Sequence, residues 1–270
     1  MLVASSVDVL LRPSEIRVTK RSALSLGLPG RFSSKPVAAE TGVEPWKPCI
    51  DALSDVLAGL ARTVSLDVVL SDHFLRYALV PWSRNLVADS ERLALARLTF
   101  SQIYGSMVDD WVVTVGEQKA GQAAFACAMD RGLLQALQEL ARRRSMRLRS
   151  LRTALGERIN RHRRRLRQNE FCFASLEPER LTLAFHSKAG WLAVRGRRLA
   201  AGAVEQLPAV VRQEAAAAGA NQGGDLYLAS ELPAEALPAE VAGWRLVRLY
   251  ERVPAQRSVA GTSPVKVPAD

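Results

Sequence analysis

Residues Leu11–Val18 read LRPSEIRV, and residues Leu176–Leu183 read LEPERLTL. Each phrase runs from leucine through one charged residue to proline and glutamate, then into alternation. Proline at the second position of a turn presets φ at about −65°. The spacing predicts a strand over Val7–Leu11, a turn at Arg12-Pro13-Ser14-Glu15 and a returning strand over Ile16–Lys20. The second phrase predicts a strand over Phe171–Leu176, a turn at Glu177-Pro178-Glu179 and a return over Arg180–Phe185. The two turns, about 165 residues apart, thus hold equivalent places, each joining the first two strands of one half of the chain.

The rest of each half supports this division. Residues 21–47 carry Gly27, Pro29, Gly30, Pro36, Gly42 and Pro45 without a sustained period, a stretch long enough to expect a short strand inside it. Pro48 suits the first turn of a helix whose apolar stripe is Ile50, Leu53, Leu57 and Leu60. Val64–Leu70 and Phe74–Val80 read as strands around a turn at Ser71-Asp72-His73. Asp89 or Ser90 can cap a helix with Leu93, Ala96, Phe100 and Ile103 inward, closed by Gly105. Strands are expected at Trp111–Val115 and Ala123–Met129, then a helix capped by Asp130 and running from Arg131 to about Arg143. Its inward residues are Leu134, Leu137 and Leu140. Met146–Leu151 alternates as a half-buried strand, and Leu155, Ile159, His162 and Leu166 form the stripe of a following helix.

After the second hairpin come a turn at His186–Gly190, a strand at Trp191–Arg195 and a helix over 203–218 in which Pro208 is awkward. Strands at Leu226–Ala229 and Trp244–Leu249 follow. The expected organisation is residues 1–168, residues 169–252 as a smaller second unit, and a flexible tail at 253–270.

A hydrophobic content of 48% and a charged content of 24% are ordinary for a globular protein. No apolar run approaches the roughly 18 residues of a spanning helix. The N-terminal MLVASSVDVLLRP lacks a basic region and is interrupted by Asp8, so it reads as a strand and not a signal peptide. Cys49, Cys127 and Cys172 are expected as buried free thiols of a reducing cytoplasm. The net charge of +10 is concentrated, because residues 142–167 alone hold twelve arginines and one glutamate. Most of these, including Arg158, Arg161 and Arg163–Arg165, fall off the apolar stripe and are expected in solvent. No aromatic residue interrupts the segment, which argues against base stacking and hence against nucleic acid. An anionic membrane surface or an acidic partner fits it better.

The twin hairpins, followed by alternating strands and helices, resemble the duplicated α/β plan of the actin, sugar-kinase and Hsp70 type. The element order resembles more narrowly the PilM/GspL group of actin-like proteins of bacterial type IV pilus and type II secretion machines. The resemblance rests on VDVLLRPSEIRVTK as first hairpin, VVLSDHFLRYALVPW, and AAFACAMDRGLLQALQELARRRSMRLRSLRTALGERI. It implies an actin-like (RNase H-like) fold of two subdomains with the second reduced. It also implies a cytoplasmic scaffold beside the inner membrane, bound to the cytoplasmic tail of an inner-membrane pilus or secretion protein.

ATP-binding members of that class carry an Asp and a Gly in the first turn. Here Leu10 falls in the place of the Asp and Arg12 in that of the Gly, while Pro13 removes an N–H donor. Glu177 and Glu179 put like charge where a phosphate would sit. Gly223 and Gly224 precede the strand of GDLYLASEL where an adenosine-side motif has them after it. These departures imply a degenerate nucleotide site, no cofactor and no catalysis.

Asp67, Asp72 and His73 could suggest a metal or acid–base site, but turn chemistry explains Asp72 and His73 and no further ligands follow at useful spacing. An exposed turn equally explains Glu177 and Glu179, His162 reads as packed, and His186 as a turn residue. The alternatives are a basic protein binding nucleic acid or membrane through 142–167, and a divergent sugar-kinase-like ATPase.

Overall fold

The proline turns shape both halves. In the computed structural model, β1 (Ser6–Leu11) and β2 (Glu15–Arg21) form an antiparallel hairpin, with the Arg12 N–H donating to the Glu15 carbonyl at 3.0 Å. The second hairpin is β9 (Phe171–Glu177) with β10 (Arg180–Ser187). Glu179 takes φ of 57° in its turn. The structure describes residues 6–21, 32–37, 44–60, 65–86, 88–166, 170–200, 203–220, 223–231 and 238–250. The tail expected at 253–270, and Arg167, lie outside these.

Each hairpin seeds a sheet of the same order. In the first, β3 (Phe32–Pro36) extends the hairpin, and β4 (Ser65–Leu70) and β8 (Arg147–Thr153) continue it in parallel, giving β3-β2-β1-β4-β8. In the second, β11 (Gly190–Arg198) extends the hairpin, and β12 (Asp225–Ser230) and β14 (Trp244–Tyr250) continue it in parallel. Its order is β11-β10-β9-β12-β14, with the two-residue strand β13 (Glu240–Val241) added at the edge. Three antiparallel strands in a meander followed by two parallel ones is thus written twice. The strand expected within residues 21–47 is β3.

Helix α1 (Lys47–Ala58) starts with Pro48 in its first turn and buries Cys49, Ala52, Leu53 and Leu57. Leu53 and Leu57 contribute about 1.5–3 kcal/mol each by leaving water. Helix α5 (Leu207–Ala218) resolves the difficulty of Pro208. A short 3-10 turn at Ala203–Gln206 precedes it, so the proline stands in the first turn, where no N–H is needed.

The stretch around Ser71 is the expected strand, turn and strand, but its two strands belong to different sheets. The turn is of 3-10 form at Asp72–Phe74, and β5 (Leu75–Val80) does not pair with β4. Instead β5 joins β7 (Ala124–Asp130) and β6 (Trp111–Val115) in a separate sheet of order β5-β7-β6, inserted between β4 and β8. One face of this sheet packs on helix α2 (Asp89–Tyr104) through Ala96 and Phe100. Ile103, expected inward, is 59% exposed, and at that turn Tyr104 packs instead, its ring 5.0 Å from that of Trp111. The cap of α2 is also not Asp89 or Ser90. The Glu91 carboxylate reaches back to the Ala88 N–H at 3.0 Å.

Helix α3 (Arg131–Arg143) follows β7, and the Asp130 carboxylate accepts from Gly132 N–H at 2.6 Å and Leu133 N–H at 3.3 Å, as the sequence leads one to expect. Leu133, Leu137 and Leu140 are its buried leucines, with Leu134 half-buried beside them. Helix α4 (Ala154–His162) is shorter than the stripe to Leu166 suggested, and the Thr153 hydroxyl caps it by accepting from Gly156 N–H at 3.0 Å. It lies between the halves, which changes the character of its buried face.

Candidate functional site: the cleft between the two hairpin turns

The C-terminal ends of the parallel strands in both sheets face each other, so the two proline turns meet. Arg12, from the first turn, is 4% exposed. Its Nη1 and Nη2 donate to Glu231 Oε2 and Oε1 at 2.8 and 2.5 Å. Its Nε lies 3.5 Å from Glu177 Oε1, a charge contact without hydrogen-bond geometry. Glu231 follows β12 in the second half, and Arg17 Nη1 donates to the same carboxylate at 2.5 Å. Burial pushes the Glu231 carboxyl up, but its hydrogen bonds and proximity to Arg12 and Arg17 win and bring it down to about 2. Arg17 is itself aligned by Glu15, which also accepts from Ser34.

Glu177 closes β9 and is 2% exposed, so it is not the exposed turn residue that the sequence suggested. Its Oε2 accepts from the Ser71 hydroxyl at 2.7 Å and from the Asp72 N–H at 2.9 Å. Glu179 stands apart, in reach of Arg198 at 3.4 Å. The two glutamates therefore do not form a carboxylate pair.

Asp72 is fully buried. Its Oδ1 accepts from Tyr77 at 2.6 Å and from the Leu155 N–H at 3.2 Å, and its Oδ2 accepts from Ser175 at 2.9 Å. Burial and the neighbouring Glu177 charge raise its carboxyl above the usual range, against hydrogen bonds from Tyr77 and Ser175 and the nearby Arg158. Burial, then the Asp72 charge, also pushes the Tyr77 phenol up, which keeps it a donor.

Arg158 corrects the sequence reading most directly. Placed off the apolar stripe, it is 4% exposed, donates to Ser175 Oγ at 2.6 Å and lies 3.8 Å from Glu177 Oε1. His73 adds one more tie between the turns, with Nε2 at 2.7 Å from the Pro178 carbonyl. Burial lowers its pKa from the ordinary value.

Asp67 does not join this site. It pairs across β4 and β8 with Arg149 and Ser150. Among the described residues, no three His, Cys, Asp or Glu side chains converge to hold a metal ion. His162 is buried on α4, whereas His186 lies in β10, stacked on Phe171 at 4.7 Å between ring centroids. Gly223 and Gly224 precede β12, at the end of the sheet away from the cleft. All three cysteines are free, and the Cys49 thiol donates to the Arg12 carbonyl at 3.3 Å.

One space in the cleft, of about 170 Å³, is bounded in part by Leu10, Arg12, Arg158 and Glu231. Small-molecule sites run from about 300 to 1,000 Å³. A larger cavity of about 650 Å³ also lies between the halves, lined by Tyr77 and Leu155, the partners of Asp72, and by His186 and Trp191 of the second half. Arg17, Tyr77, Ser175 and Glu231 were not singled out in the sequence. Only Arg158 left a signal, because it stands three residues after Leu155 and four before His162 on the face that is buried.

Two sheets of one order, with paired hairpin turns across a cleft, define the actin-like fold, and solved structures of that class match along nearly the whole chain. The PilM–PilN type IV pilus biogenesis complex matches at 13% identity and TM-score 0.61, over 92% of this chain and 88% of that one. The cytoplasmic domain of EpsL, an inner-membrane component of the type II secretion system of Vibrio cholerae, matches at 16% identity and TM-score 0.55, over 92% and 91%. A Bacteroides thetaiotaomicron protein of actin-like ATPase fold and unknown function matches at 10% identity and TM-score 0.56, over 86% and 84%. No protein-family model and no curated protein sequence matches the chain. Among the described residues, no helix is long and apolar enough to cross a membrane.

Proposed function

We propose that this chain is a non-catalytic, actin-like assembly protein of a type IV pilus or type II secretion machine. In this reading it works on the cytoplasmic face of the inner membrane and binds the cytoplasmic tail of an inner-membrane component. One observation carries the non-catalytic part: the Arg12 guanidinium fills the first hairpin turn and is held by Glu231 and Glu177 of the other half. A phosphate turn needs open backbone N–H groups and a carboxylate free for Mg²⁺. Here the turn contains Pro13, and both Asp72 and Glu177 already accept internal hydrogen bonds. A divergent ATPase would need one of them released. The likeness to PilM–PilN and to EpsL supports the machine and the kind of partner.

The test is thermal unfolding with millimolar Mg–ATP. A nucleotide at 100 times its Kd would add about 2.7 kcal/mol of stability, so no shift is expected and a Mg²⁺-dependent rise in Tm would overturn the reading of a degenerate nucleotide site, while phosphate release from Mg–ATP would overturn the non-catalytic one. Pull-down with the cytoplasmic tails of inner-membrane components encoded by the same bacterium tests the assembly role. Failure of every tail to bind would overturn it.

A further inference from the structure

Seven of the exposed arginines of residues 142–166, namely Arg142–Arg144, Arg147 and Arg163–Arg165, gather at one end of the first sheet, whereas Arg149 pairs with Asp67 and Arg161 lines the cleft. Strand β8 is its edge strand, and its first residue Arg147 pairs with Ser65, which in turn pairs with Ser6. These are the strand ends remote from the cleft. Helix α3 delivers Arg142–Arg144 to that end just before β8 begins. Helix α4 begins at the cleft end directly after β8 and packs back over β8 and β4. Its nine residues and the following turn cover about 18 Å at 1.5 Å per residue, against about 23 Å for β8. Arg163–Arg165 therefore return to the same end from the other face of the sheet. All seven of these arginines are exposed.

Three features say what this tip fits. Every cation in residues 142–167 is arginine and none is lysine, and the guanidinium fork matches two oxygens of one phosphate. None of the large exposed apolar side chains, Trp82, Leu98, Ile103, Met107 and Leu192, lies in this segment, so it lacks the apolar centre on which protein interfaces depend. Asp51, Asp55 and Glu139 flank it on the α1–α3 side, where Asp55 pairs with Lys35 and Glu139 with Arg142 and Arg143, so that side offers a long polyanion no continuous basic track. A plane of phosphates touching only the tip avoids them.

We propose that this arginine tip docks on an anionic phospholipid bilayer, with headgroup phosphates as its ligand. The protein then stands with its cleft directed away from the membrane. The inference takes from the proposed function only its place beside the inner membrane.

The test is co-sedimentation of the full chain with vesicles of phosphatidylcholine, alone or with one-third phosphatidylglycerol, at low and high salt. Binding is expected only with phosphatidylglycerol, and salt should weaken it by screening. The variant Arg147→Gln/Arg163→Gln/Arg165→Gln should bind on the order of 100-fold more weakly. Arg84→Gln/Lys119→Gln/Lys188→Gln, with the same change of net charge at other exposed sites, should bind as the parent does. Equal binding to both vesicles, no vesicle binding, or equal effects of the two variants would overturn the proposal. Vesicle-independent binding to duplex DNA that the first variant abolishes would reassign the tip to nucleic acid. If the first variant does not fold by circular dichroism, the salt and lipid dependence of the parent still decides. No arm involves nucleotide, a protein tail or a cleft residue, so the outcome is separable from the tests of the proposed function.

Discussion

Arg12 and Glu231, 219 residues apart in sequence, form a two-pronged ion pair that ties the first hairpin turn of one half to the end of β12 in the other. Its consequence for stability is asymmetric. Removing the guanidinium leaves Glu177 and Glu231 without their shared counter-charge, and breaking a buried pair costs about 3–5 kcal/mol. Arg12→Met should therefore lower the urea midpoint strongly. Arg17, still on Glu231, offsets part of the loss, so an effect of about 3 kcal/mol is expected, and one under about 1 kcal/mol would contradict the geometry.

Acid should loosen the same tie. The folded Glu231 carboxyl sits at about 2, below its ordinary value of 4.5. A depressed carboxyl pKa contributes stability above the unfolded value, and that contribution disappears as pH falls through the folded one. Stability should thus drop between pH about 5 and about 2, and Glu231→Gln should flatten this part of the profile. Urea unfolding of both proteins across that range measures it.

Helix α2 offers a paired test of its buried face. Phe100 is fully buried and Ile103 is 59% exposed. Phe100→Ala should cost about 3–5 kcal/mol, while Ile103→Ser should stay within about ±0.5 kcal/mol. Comparable losses from both would place the helix wrongly.

The thiols should be slow to react in the native protein. Burial pushes Cys49 up to about 11 and Cys127 up to about 12, and raises Cys172 well above its ordinary value. The thiolate is the reactive species, so little of it is present at neutral pH. Titration with Ellman's reagent should release little colour natively and three equivalents in denaturant.

Local chemistry was the legible part of this fold. Pro13 and Pro178 mark their turns, Asp130 caps α3, and the phase of Leu53 and Leu57 gives the face of α1. What resisted reading was chemistry between distant segments. Glu177 resembles a solvated turn residue until Arg12, Ser71 and Arg158 close over it. Arg158 resembles a surface cation because an apolar stripe assumes one packed side, whereas α4 is covered by β4 and β8 below and by β9 above. Ile103 fails for another reason, since the period of the helix left Tyr104, the neighbour that packs on Trp111, out of the inward face. Leu10, Arg12 and Pro13 were visible as departures from the ATP-binding pattern, but nothing in their spacing revealed that Arg12 binds Glu231.

Two lobes that meet over an open cleft swing apart when pulled, and a motor uses that swing to couple chemistry to motion. Here the lobes are pinned at their closest approach by Arg12, Asp72, His73 and Arg158, acting in parallel from three elements of the first half on Glu231, Glu177, Ser175 and Pro178 of the second. Under the proposed function, such pinning would pass tension applied at one lobe to the other, as a strut does that relays the stroke of some other engine.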